Sequence, residues 1–135
     1  MIESVVVDTD VMSFLFKRDS RAELYRPHLA DKLIVISFMT LAEAIRWSFE
    51  KNWGAVRKYK LEEFLRDFII LHSSRAMCFK WAEAITTARR NGRPIQTADA
   101  WIAATALLHG IPLVTHNSKH YMGVDGLTVI SETTS

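Results

Sequence analysis

Short apolar runs rich in β-branched residues alternate along this chain with longer stretches whose apolar positions recur every three or four residues. The first run, Val5-Val6-Val7, reads as a buried strand that ends at Asp8. A short helix is predicted from about Val11 to Phe16. Ser20 and Glu23 have the spacing of a capping box for a second helix, where Ala22, Tyr25 and Leu29 recur at helical intervals up to a turn near Asp31. Leu33 to Ile36 then reads as a second, parallel strand.

From Phe38 the set Phe38, Leu41, Ala42, Ile45 and Phe49 fits one helical face, and Gly54 marks the end of that helix. Val56, Tyr59, Phe64, Leu65 and Phe68 suggest another helix, although Lys60 and Leu61 blur its phase. Phe68 to Leu71 is the third strand candidate. Met77, Trp81, Ile85 and Ala88 predict a helix between Ser74 and Asn91, stopped by Asn91-Gly92-Arg93-Pro94. Thr97 is placed to cap a helix that carries Ile102, Ala103, Ala106 and Leu107 inward and stops at Gly110. Ile111 to Thr115 reads as a strand, Asn117 to Tyr121 as a loop or short turn, and Leu127 to Ile130 as a final strand. Strands alternating with helices predict a single-domain, three-layer α/β/α sandwich around a mostly parallel sheet with right-handed crossovers. The domain is expected over residues 1–131, with a polar tail at 132–135; no repeat, linker or low-complexity tract interrupts it.

A length of 135 residues fits one domain with a real core. An apolar fraction of 49% with 24% charged residues is that of an ordinary soluble globular protein. Seventeen basic against fifteen acidic residues leave a net charge of +2, so overall charge does not mark a nucleic-acid binder. Cys78 is the only cysteine, and no Cys/His spacing suggests a zinc site. The chain starts directly with a strand-like segment and has no apolar run of membrane-spanning length, which makes a reducing cytoplasm the expected location, with no membrane association.

Four acids stand out by position: Asp8, Asp10, Glu43 and Asp99 each lie where an apolar run stops or a helical pattern starts. In an open parallel sheet those places converge on one edge. A hard divalent cation such as Mg²⁺ or Mn²⁺ takes oxygen ligands and needs few carboxylates, which Asp8, Glu43 and Asp99 supply. Such acids repel one another without a cation; with one they can activate water against a phosphodiester. Each also has an ordinary explanation, because acids favour the first helical turn. Asp8 or Asp10 can cap the first helix, Thr40-Leu41-Ala42-Glu43 matches a capping box, and Asp99 lies just after Thr97. Asp99 shares a helical face with Ile102 and Ala103, where a carboxylate needs a partner or a metal. Asp10 is either a ligand through water or a turn residue.

Thr115 and Asn117 follow the fourth strand and are expected at the same edge, where the Asn117 carbonyl can meet a metal or orient its water, or simply form a turn. His116 and His120 are loop histidines able to contact phosphate or transfer a proton. Arg89, Arg90 and Arg93 form the densest basic group and are candidates for RNA phosphates or a solvated helix end. Arg46, one turn beyond Glu43, can pair with it or face a substrate phosphate. Of the four tryptophans, Trp81 fits a core face, whereas Trp47 and Trp53 suit a protein interface.

The ordered segments Val5-Val6-Val7-Asp8-Thr9-Asp10, Ile36-Ser37-Phe38-Met39-Thr40-Leu41-Ala42-Glu43, Asp99-Ala100-Trp101-Ile102-Ala103-Ala104-Thr105-Ala106 and Leu113-Val114-Thr115-His116-Asn117 resemble the PIN-domain ribonucleases, specifically the VapC-type toxins of toxin–antitoxin pairs. The resemblance implies an acidic metal site of Asp8, Glu43 and Asp99, with Thr9 and Thr115 as supporting hydroxyls. Asn117 stands where many family members carry a fourth acid, and Asp10 stands where Asn or Ser is common and restores a charge. The family implies Mg²⁺- or Mn²⁺-dependent endonucleolytic cleavage of RNA, a homodimer, and inhibition by a small antitoxin whose C-terminal segment enters the acidic groove. Two other readings compete. Asp8-Thr9-Asp10 after an apolar strand also resembles the first motif of haloacid-dehalogenase-type phosphatases, but the later segments offer only Asn117 and Asp125 for the acidic pair such enzymes need. The other is a PIN-like RNA- or protein-binding module without turnover.

Overall fold

The chain runs β1 (Ser4–Val7), α1 (Thr9–Lys17), α2 (Ala22–Leu29), β2 (Leu33–Ser37), α3 (Phe38–Glu50), α4 (Ala55–Leu65), β3 (Ile69–Leu71), α5 (Arg75–Arg90), α6 (Thr97–His109), β4 (Leu113–Val114), a short 3₁₀ helix (Ser118–Tyr121) and β5 (Val129–Ile130). This computed structural model describes residues 2–133. Thr134 and Ser135 of the expected tail lie outside the described residues, while the Glu132 N–H donates to the Tyr25 hydroxyl at 3.1 Å. The sheet order is β3-β2-β1-β4-β5 and every pairing is parallel.

Alternation along the strands divides the core between two faces. Val5, Val7, Ile36 and Val114 pack with residues of α1, α2, α3 and α4, whereas Val6, Val35 and Leu113 pack with α5, α6 and Tyr121. Parallel strands covered on both faces have no polar side, which is why they read as continuous apolar runs. Among the described residues no helix is long and apolar enough to cross a membrane.

Four local expectations are corrected. The Ser20/Glu23 capping box does not form: Arg21 occupies the cap of α2 without a side-chain bond, and the Glu23 N–H is taken by the Ser20 carbonyl. In α3 the buried stripe is Thr40, Ala44 and Ser48, whereas Phe49 is 71% exposed and Ala42 is exposed. Small residues at a spacing of four let α3 approach α1 and α6 closely, so the closest contact falls on residues that a hydropathy pattern overlooks. In α4 it is Leu61 and Leu65 that are buried, while Val56 and Tyr59 face outward; α3 itself ends before Gly54, which starts α4.

Ala44→Leu should therefore destabilise the fold by about 1–3 kcal/mol through overpacking, while Phe49→Ser should stay within about 0.5 kcal/mol of the parent, as exposed substitutions do. Urea unfolding measures both, and equal losses at the two positions would contradict the assigned face of α3.

Candidate functional site

β1 and β4 are neighbours in the sheet, in register at Val7 and Val114, and the strand order grows away from them in opposite directions. Loops leaving the two strand ends diverge at such a switch point and open a crevice. Asp8 follows β1 and Thr115 follows β4, so the sheet itself places both at the crevice floor.

Asp8 is 5% exposed. Its Oδ1 accepts the Thr9 N–H at 2.7 Å, and its Oδ2 accepts the Thr115 hydroxyl at 2.7 Å and the Tyr121 hydroxyl at 2.9 Å. Burial pushes the carboxyl up to about 7, and the charges of Asp10 and Asp99 push the same way against the hydrogen bonds from Thr115 and Tyr121. Asp10, in the first turn of α1, accepts the Val11 N–H at 2.6 Å on Oδ1, and the His116 N–H at 3.1 Å and the Asn117 amide at 2.8 Å on Oδ2. Burial raises its pKa as well, and Asp99 adds to the shift.

Glu43 reaches the cluster from α3, where it accepts the Thr9 hydroxyl at 2.8 Å. A carboxylate can only accept, so the single Thr9 proton goes to Glu43 and Thr9 accepts from Thr40 at 2.9 Å. Burial raises the Glu43 pKa, with repulsion from Asp99 and Asp10 adding to it, while Thr9 and Arg46 oppose the shift. Asp99 sits in the first turn of α6 with its side chain 19% exposed; Oδ2 lies 3.2 Å from His120 Nδ1 and Oδ1 lies 3.4 Å from the Tyr121 hydroxyl. Capping does not explain Glu43 or Asp99. Ser37 caps α3 through the Met39 N–H, and Gln96 occupies the cap of α6 without a side-chain bond, so neither the Thr40–Glu43 box nor the Thr97 cap forms.

The four acids thus share one edge, and among the described residues none has a Lys or Arg ion pair. An all-oxygen, carboxylate-rich set in which burial raises the pKa of Asp8, Asp10 and Glu43, and on which no Lys or Arg is paired among the described residues, has the chemistry of a hard divalent-cation site. Its carboxylates are turned onto Thr9, Thr115, Tyr121 and Asn117, and among the described residues no three His, Cys, Asp or Glu side chains converge on one common point.

Other expected residues fall into place differently. Asn117 presents its amide nitrogen, not its carbonyl, to the cluster, because Asp10 accepts. The His116 ring hydrogen-bonds the Tyr25 hydroxyl, and His120, 53% exposed, pairs with Asp99. Arg46 is engaged by Glu50 at 2.8 Å. Arg89 and Arg90 are exposed at the end of α5, and Arg93 touches the sulfur of Met122, next to Tyr121. Trp81 stacks on Trp101 with centroids 5.2 Å apart. Trp47 and Trp53 pack on the core, with Lys17 and Arg57 over their rings, rather than standing free. A groove of about 1080 Å³ beside α1 and α4, lined by Leu15, Phe16, Phe64, Lys17 and Arg57, contains none of the four acids. Sequence reasoning missed Tyr121 and Thr40; the only signals were an aromatic residue in a polar loop and a threonine assigned to a cap.

A family model described as PIN domain matches residues 5–122. "Ribonuclease VapC1" of Haemophilus influenzae strain R2866 is 29% identical over 126 residues, covering 90% of this chain and 92% of that protein. "tRNA(fMet)-specific endonuclease VapC" of Shigella flexneri is 28% identical over 123 residues, again covering 90% and 92%. Among solved structures, VapBC2 from Rickettsia felis bound to a promoter DNA fragment superposes with a TM-score of 0.83 at 23% identity, covering 96% of this chain and 99% of that one. VapBC-1 from nontypeable Haemophilus influenzae gives a TM-score of 0.80 at 27% identity, covering 95% and 97%.

Asp8 titrates near 7 in the fold against an ordinary 3.8, so the folded state holds more protons between those values. Its contribution to stability is therefore fully present below about 4 and is lost as pH rises to about 7. Removing the charge with Asp8→Asn should raise the variant's Tm relative to the parent progressively across that interval, measured by thermal unfolding in chelator. A Tm difference that stays flat with pH contradicts the assignment.

Proposed function

The chain belongs to the PIN domain family, and from that premise we propose that it is a divalent-metal-dependent endoribonuclease, the toxin of a toxin–antitoxin pair acting in the cytoplasm. The observation that carries this reading is the set Asp8, Asp10, Glu43 and Asp99 on one sheet edge with no Lys or Arg ion pair among the described residues. Names of relatives, ribonuclease and endonuclease, support it.

In this reading Asp8, Glu43 and Asp99 hold Mg²⁺, with Mn²⁺ as a substitute. The bound cation supplies Lewis acidity, neutralising phosphate charge and making water more acidic for in-line attack. Thr9 fixes Glu43 and Thr115 fixes Asp8, so each carboxylate presents one orientation. Asn117 and the His116 N–H hold Asp10 beside them, keeping a further negative charge at the edge. Arg89, Arg90 and Arg93, free of ion pairs among the described residues, contact phosphates of the RNA. Arg46 joins them by leaving Glu50, since an exposed pair is worth about 0–1 kcal/mol. The protein works as a homodimer and its inhibitor is a cognate antitoxin, in keeping with the VapBC complexes it resembles in fold. The apolar, basic groove beside α1 and α4 has chemistry complementary to an acidic amphipathic segment of such a partner.

Total RNA incubated with the protein and Mg²⁺ or Mn²⁺ should be cleaved, and chelator should stop the cleavage. Asp8→Asn and Asp99→Asn should each lower the rate by about 100-fold or more, at or beyond the 10–100-fold typical for losing a hydrogen-bond partner of a metal ligand. Undiminished turnover in Asp99→Asn removes that residue from the mechanism. Mn²⁺ binding without cleavage of any RNA would instead make the chain a binding module, and hydrolysis of a small phosphoester would favour the phosphatase chemistry.

A further inference from the structure

Tyr121 ends the short 3₁₀ helix after β4 and is 1% exposed, with its ring packed among Val6, Ile102, Ala103, Leu113 and Val124. Its hydroxyl lies 2.9 Å from Asp8 Oδ2 and 3.4 Å from Asp99 Oδ1. Both neighbours are acceptors and the phenol has one proton, so that proton is shared, mainly with Asp8 and more weakly with Asp99. Among the described residues it is the one side chain that hydrogen-bonds both acids. The two carboxylates come from different layers of the chain's path, one from the end of β1 and the other from the first turn of α6.

We propose that Tyr121 is a positioning residue of the cation site, setting the separation and rotation of the Asp8 and Asp99 carboxylates; this rests on reading the acidic cluster as that site. The hydroxyl engages one oxygen of each acid. It leaves Asp8 Oδ1 and Asp99 Oδ2, which among the described residues have only the Thr9 N–H and the exposed His120, respectively. The phenol thus orients each group without using the oxygens that remain for a cation. Two like charges brought together by unlike elements would otherwise rotate apart, and a ring locked into the core resists that rotation where a surface hydroxyl could not.

The test compares the full-length parent with Tyr121→Phe, which keeps the ring, and Val124→Ala, which loosens the same packing without touching the hydroxyl. Mn²⁺ titration by calorimetry on folded protein gives the Kd, thermal unfolding gives the Tm, and RNA cleavage gives kcat and KM. Tyr121→Phe should weaken Mn²⁺ binding by about tenfold or more, and lower kcat with KM for RNA unchanged. Val124→Ala should lower the Tm and leave the Mn²⁺ Kd unmoved. A Tyr121→Phe Kd equal to the parent's, or an equal weakening in Val124→Ala, overturns the positioning role while leaving the metal site standing. Failure of the parent itself to bind Mn²⁺ overturns the proposal and the nuclease reading together.

Discussion

A carboxylate almost sealed from water organises this molecule. Left bare, buried Asp8 would cost several kcal/mol, by the general penalty of about 2–7 kcal/mol for an unpaired polar group and more for a charge. Its donors come from three places: the first residue of α1, the residue after β4, and the end of the 3₁₀ helix. Satisfying Asp8 therefore means closing β1 on β4 in one register and folding the loop after β4 back over the strand ends. Among the described residues no buried side-chain nitrogen or oxygen is left without a partner. Donors alone do not restore an ordinary pKa, however, because burial and two neighbouring acids outweigh them.

Packing supplies the rigidity that this arrangement needs. Helix α6 is buried on nearly every side through Ala100, Ile102, Ala103, Ala104, Thr105 and Ala106, and its alanines allow close approach to α5 and to the sheet. Gly110 ends it at φ 62°, a conformation that costs glycine little, and the chain turns directly into the strand beside β1. Asp99 at one end of that helix and Thr115 just beyond the following strand are therefore fixed by the same packed unit. Helix α3 brings Glu43 up in the same manner, with Thr40, Ala44 and Ser48 along its buried stripe. Thr40 serves twice, packing and donating toward Thr9.

Charge is segregated over the surface in a way a net value of +2 conceals. One edge carries four acids, and the side bounded by α1 and α4 carries Lys17 and Arg57 over aromatic rings beside an apolar groove. A polyanion such as RNA would be repelled by the first surface unless a cation lay between them, which is why the acidic cluster and a divalent ion belong to one chemical proposal.

Strand and helix order and the five-strand α/β architecture were legible in the residues themselves, as were the places of Asp8 just after β1 and Asp99 in the first turn of α6. Each depends on a local signal: an apolar run, a helical period, or an acid at the point where one changes to the other. The phases of α3 and α4 were not legible, because there the buried stripe is set by how closely two helices can approach, which favours Thr40, Ala44 and Ser48 over Phe49. Nor was Tyr121, whose role exists only because a residue remote from Asp8 and Asp99 in the chain lands between them. The sequence by itself determined which elements form and which acids stand where strands give way to helices. Tertiary structure alone decided which donors meet those acids and which way each carboxylate turns, since hydrogen-bond partners remote in the chain leave no periodic trace in it.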